Sequence, residues 1–123
     1  NKRYLKTARE LAETVWRFGL LRKGWGLCHG APGNAYAFLA LYDAAGDDRY
    51  LKCAEQFALW LCCSPDAQNI ADVPDRPLGL YTGVCGADQF LLDLLALTTI
   101  GGEQTGGYAL PFLVAGPAGG YRR

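Results

Sequence analysis

No stretch of this 123-residue chain offers the ~20 successive apolar residues that a bilayer-spanning helix needs; its apolar runs are short, as in Ala35–Tyr42. Neither charge dominates, with 12 Lys+Arg against 12 Asp+Glu. That balance argues against a nucleic-acid binder, which needs a basic face, and against an acidic disordered tail. The first residues, Asn1-Lys2-Arg3-Tyr4, hold no apolar signal core, so no secretory start is expected. The five cysteines are an odd number and do not close into a disulfide set. Reduced thiols and a cytoplasmic address follow as the expectation. What remains is a globular composition, half apolar, with a mean hydropathy near zero at +0.01. Its length suits one small domain or a piece of a larger protein.

The apolar pattern is helical. Tyr4, Leu5, Ala8, Leu11, Ala12, Val15 and Trp16 form one broad stripe along residues 2–18, and Gly19 is a natural stop. Five glycines in residues 19–33 then exclude regular structure and indicate a shaped loop. Asn34 is a plausible N-cap for a helix over Ala35–Ala45, which is apolar on every side and must therefore be surrounded by protein. Gly46-Asp47-Asp48 makes a turn and cap. A half-buried helix over about Asp48–Cys63 follows, with Tyr50, Ala54, Phe57, Ala58 and Leu61 inward. Residues 64–82 hold three of the six prolines and read as a loop. A mostly apolar helix over Ala87–Leu97 comes next, and then an irregular tail, 98–123, with seven glycines. Cys53, Cys62, Cys63 and Cys85 read as small buried hydrophobes.

Two units share one plan. Gly30-Ala31-Pro32-Gly33 opens one apolar helix, and Gly83-Val84-Cys85-Gly86, 53 residues later, opens another. Repetition at this length marks arrays of helical hairpins. Inner helices shielded by outer ones give an all-α, two-layered architecture, of which this chain holds only part. The N–H groups at the start of each inner helix are expected to face a central cavity.

Cys28-His29 is the one place where a thiol and an imidazole are neighbours. Zinc takes both, as thiolate and neutral imidazole, but needs at least three protein ligands. A buried thiol beside a hydrogen-bonded histidine is the alternative. A nucleophilic dyad is less compatible with immediate neighbours and no orienting partner.

Residues 19–42, GLLRKGWGLCHGAPGNAYAFLALY, resemble the eukaryotic lanthionine synthetase C-like proteins. The resemblance continues through Arg49-Tyr50-Leu51, Phe57-Ala58, Trp60, Pro74-Asp75-x-Pro77, Leu80-Tyr81-x-Gly83-x-x-Gly86 and Phe90-Leu91-x-Asp93-Leu94, covering about residues 2–97. It implies an α/α toroid, residues 1–97 being part of it and 98–123 a divergent Gly-rich tail. It also implies one Zn2+ held by Cys28, His29 and a further cysteine upstream. Glutathione would lie beside the metal, bound by Lys23 and by Pro74 and Asp75. The family activity is addition of a zinc-activated thiol to dehydroamino acids, with formation of a thioether, and Lys23 would stabilise negative charge in it. Tyr36 and Tyr42 read as packing residues.

The sequence departs from the family pattern twice: an Arg position reads Asp72 and a Glu position reads Thr82. Three readings of function follow. The chain belongs to a glutathione-adding enzyme acting on dehydroamino-acid peptides or proteins, to a zinc and glutathione-binding adaptor peripheral to the plasma membrane, or is a fragment inactive by itself.

Overall fold

A computed structural model describes residues 2–68 and 76–100. Among them the elements are helices α1 (Lys2–Phe18), α2 (Ala31–Ala45), α3 (Asp48–Cys63), the single turn α4 (Pro65–Gln68) and α5 (Cys85–Ile100). No strand occurs among the described residues. The expected all-α architecture is thus the one observed. The tail beyond residue 100 lies outside the described residues, as does the stretch 69–75.

Helix α2 is the centre. Ala31, Ala35 and Leu39 are fully buried and Phe38 nearly so, with α1, α3 and α5 packed around them. A helix with no polar face is stable only when protein covers it on several sides, which is the arrangement here. Phe38 meets Phe57 of α3 edge to face at 5.3 Å and Trp16 of α1 at 6.2 Å. These rings tie three helices together.

The start of α2 differs from the expected one. The helix begins four residues before Ala35, with Gly30 as an extended N-cap and Pro32 in the first turn. Proline's fixed φ and missing N–H suit that position, so no side-chain cap is needed. Asn34 is therefore inside the first turn rather than capping it. Its side-chain Nδ2 instead donates to the Gly19 carbonyl at 2.8 Å, fastening the end of α1 to the start of α2. Gly46 closes α2 in the left-handed region at φ 64°, and Asp47 caps α3 by accepting the Arg49 N–H at 3.1 Å. The Arg49 guanidinium on the same carboxylate holds Asp47 down to about 2.

Other expectations are corrected. Tyr4 and Leu11 are exposed, because only the Ala8–Ala12–Val15 side of α1 reaches the core. Cys62 and Cys63 are exposed and Cys53 and Cys85 half-buried, so none is a fully buried hydrophobe; the stripe of α3 falls on Ala54, Phe57 and Leu61 instead. Burial, and secondarily Glu13, raises the Cys53 thiol pKa. Residues 65–68 form a helical turn inside the expected loop. Helix α5 starts at Cys85 and continues through Thr98 and Thr99, whose hydroxyls donate to the carbonyls of Leu94 and Leu95. Those bonds satisfy the two hydroxyls on the helix itself.

The two inner helices are also joined by one polar contact. The Tyr36 hydroxyl of α2 donates to Asp93 Oδ2 of α5 at 2.5 Å, and Gln89 Nε2 donates to the other carboxylate oxygen at 3.0 Å. Both Tyr36 and Asp93 are buried. Burial first, and the Asp93 contact second, push the Tyr36 hydroxyl far above its usual ionisation range. Tyr36→Phe should therefore cost roughly 1–3 kcal/mol in chemical denaturation, since it strips a donor from a buried carboxylate. The raised Tyr36 pKa contributes stability below about pH 10 that is lost as pH rises further, when only the unfolded chain ionises this group. Wild type should thus lose stability more steeply than Tyr36→Phe above that pH.

Candidate functional site

The loop between α1 and α2 carries Lys23, Cys28 and His29. Three features fix its path. Trp25 Nε1 donates to the Ala67 carbonyl of α4 at 3.0 Å, and Gly24 has φ +100°, a conformation that only glycine adopts freely. At the other end the Gly30 N–H returns to the Gly26 carbonyl at 3.1 Å, so the chain makes a tight turn around Cys28-His29 and enters α2.

The second glycine segment meets this turn directly. The Cys28 N–H donates to the Tyr81 carbonyl at 2.9 Å and the Leu27 N–H to the Leu80 carbonyl at 3.4 Å. Gly26 lies against the backbone of Tyr81 and Thr82 so closely that any Cβ there would collide with main-chain atoms. Gly86 answers from the other side, packed on the Trp25 carbonyl and the Gly26 Cα. Gly26 and Gly86 thus let the two loops meet backbone to backbone, while Gly30 and Gly33 pack within the first loop against Gly24, Gly26 and Leu27. The pairing of Cys28 with Tyr81 is not readable from either segment alone.

Cys28 and His29 are both exposed, adjacent on the clasped turn. This removes the alternative of a buried thiol beside a hydrogen-bonded histidine. A soft thiolate donor and an imidazole on a rigid, accessible turn suit zinc, and both are free of the hydrocarbon that would disfavour a charged ligand set. They are two donors only: among the described residues no group of three or more His, Cys, Asp or Glu is placed to hold a metal. Lys23 is exposed on the same loop, five positions before Cys28. Pro74 and Asp75 lie outside the described residues. Tyr36, on α2, is committed to Asp93 in the core, as a packing residue should be.

A model of the lanthionine synthetase C-like protein family matches residues 1–100. The chain belongs to that family. It is similar to a protein of Danio rerio named glutathione S-transferase LANCL1, with 46% identity over 94 residues, and to the LanC-like protein GCL1 of Arabidopsis thaliana, with 36% identity over 97 residues. Each alignment takes in 76% of this chain but only 23% and 22% of the relative, so the chain spans about a quarter of their length. Among the described residues no helix is long and apolar enough to cross a membrane.

The clasp makes a direct prediction. Gly26→Ala should force the two loops apart, destabilise the protein by about 1–3 kcal/mol and speed hydrogen exchange of the Cys28 amide. An unchanged exchange rate at Cys28 would show that the two loops are not held through this contact.

Proposed function

We propose that this chain is part of a zinc-binding protein that adds the thiol of glutathione to dehydroamino acids in peptides or proteins. The observation that carries the reading is the exposed Cys28-His29 pair on a clasped turn, in a chain 46% identical to a relative named glutathione S-transferase.

Cys28 and His29 would hold the metal together with one further cysteine, which the family resemblance puts upstream of residue 1. Zinc, when bound, would supply stabilisation of a thiolate near neutral pH. Lys23 places a mobile cation on the same loop, suited to the carboxylates of glutathione and to negative charge developing on the acceptor. Pro74 and Asp75 are the proposed second contact to glutathione. The overall change is an addition: sulfur bonds to the β-carbon, a proton goes to the α-carbon, and nothing leaves. The rigid loop lowers the cost of ordering these groups when the reactants arrive.

A non-catalytic zinc and glutathione-binding adaptor is the second reading. Asp72 and Thr82, which replace the Arg and Glu of the family pattern, favour it. A carboxylate at position 72 would repel glutathione where a guanidinium would attract it.

Two measurements separate the readings. A protein that also supplies the upstream cysteine should carry one zinc, whereas this chain alone, with two donors, should not hold it tightly. In that protein Cys28→Ala and His29→Ala should each weaken zinc by roughly 100-fold, because a binding energy on the order of 10 kcal/mol is shared among only three protein donors. Mass spectrometry should then detect glutathione on a dehydroalanine peptide, with transfer reduced in Lys23→Ala. Bound zinc without any transfer would leave the adaptor reading standing, and zinc retained at full affinity in Cys28→Ala would sink both.

A further inference from the structure

The loop that carries Lys23, Cys28 and His29 is fastened in two separate places. Its second half is held by backbone, through the carbonyls of Leu80 and Tyr81. Its first half is held by side chains, and both of them reach α4. Trp25 Nε1 donates to the Ala67 carbonyl at 3.0 Å, and Arg22 Nη2 lies 3.2 Å from Asp66 Oδ1. Helix ends leave carbonyls that need partners from elsewhere, and the indole supplies one. Ala67 is fully buried, so water does not compete for that carbonyl. The Arg22–Asp66 pair is exposed on both sides and holds more weakly. Helix α4 is itself fixed to the end of α3: the Asp66 N–H donates to Ser64 Oγ at 3.2 Å and the Ala67 N–H to the Ser64 carbonyl at 3.1 Å.

Lys23 lies between the two residues so anchored, with Gly24 at φ +100° beside it. Its side chain is exposed, and a lysine carries its charge on a flexible stem. Where the ammonium can go is set by where that stem starts, and fixing the start in advance lowers the cost of meeting a ligand. We infer that Trp25 is a positioning residue for Lys23: its indole N–H holds the first half of the loop on α4 and so presents the lysine charge to the carboxylates of glutathione. Arg22 assists through Asp66. The clasp holds Cys28-His29 independently, so charge recognition and metal ligation can be disturbed one at a time. This rests on the role of Lys23 proposed above. Trp25 acts through Lys23 and needs no contact of its own with glutathione.

Calorimetric titration of glutathione, and of its diethyl ester in which both carboxylates are uncharged, tests this apart from turnover. The protein is the zinc-loaded one that also supplies the upstream cysteine. Trp25→Phe keeps a ring and loses the N–H. It is expected to bind glutathione roughly fivefold more weakly, to bind the ester as wild type does, and to have no further effect in a Lys23→Ala background. Zinc content and exchange protection of the Cys28 amide should stay as in wild type, because the clasp is untouched. Coupling is reciprocal, so saturating glutathione should slow solvent exchange of the Trp25 indole proton in wild type by a similar factor, and the ester should not. That second readout needs no variant to fold. Unchanged glutathione affinity in Trp25→Phe, equal weakening of glutathione and ester, additive effects of Trp25→Phe and Lys23→Ala, or indole exchange indifferent to glutathione would each overturn the assignment. Glutathione bound equally by wild type and Lys23→Ala would instead overturn the role of Lys23 on which the assignment rests.

Discussion

The contact between two stretches of bare backbone governs this structure. Gly26 and Gly86 remove the side chains that would hold the first and second loops apart, and the Cys28 N–H then finds the Tyr81 carbonyl. Main-chain groups at a helix entrance need partners when they approach the interior. Here each loop supplies partners to the other. The same contact aligns the starts of α2 and α5, so the helices leave the clasp side by side and their apolar faces pack. Two functional consequences follow from one interaction: the Cys28-His29 turn is held still, and a second segment is brought opposite it.

Below the clasp the core is organised by rings. Trp16, Phe38 and Phe57 join α1, α2 and α3, and Tyr36 stacks edge to face on Phe90 of α5 at 5.7 Å. Dispersion and the hydrophobic effect supply most of the stabilisation and are tolerant of exact direction. The Tyr36–Asp93 hydrogen bond is not tolerant, since a buried carboxylate must have donors. It sets the register of the two inner helices, while the apolar contacts set how firmly they adhere.

The outer surface carries several large apolar side chains. Leu92 and Leu95 of α5 are more than half exposed, as are Tyr4, Leu11 and Phe18 of α1. Between the end of α1 and α3 lies a groove of about 480 Å3, lined by Trp16, Leu20, Phe57, Leu59, Trp60 and Cys63. For a chain that spans about a quarter of its relatives' length, these faces are where a layered helical assembly would add its neighbouring helices.

Much of this was legible from residue order. Periodicity placed α1 and α3, the uninterrupted apolar stretch of α2 marked the central helix, and the repeated glycine pairs marked the two helix entrances. Residue type singled out Cys28 and His29 as candidates for metal chemistry, and the family resemblance added Lys23. Those features are local: a turn, a stripe or a donor is a property of a few neighbouring residues. The start of α2 escaped, because Gly30 and Pro32 satisfy a helix entrance without a capping side chain and release Asn34 to bond Gly19. The exposure of Cys62 and Cys63, the union of Tyr36 with Asp93 and the meeting of Cys28 with Tyr81 were decided only in three dimensions. Each depends on how one helix packs on another, and the last two join residues more than fifty positions apart, which no local pattern encodes.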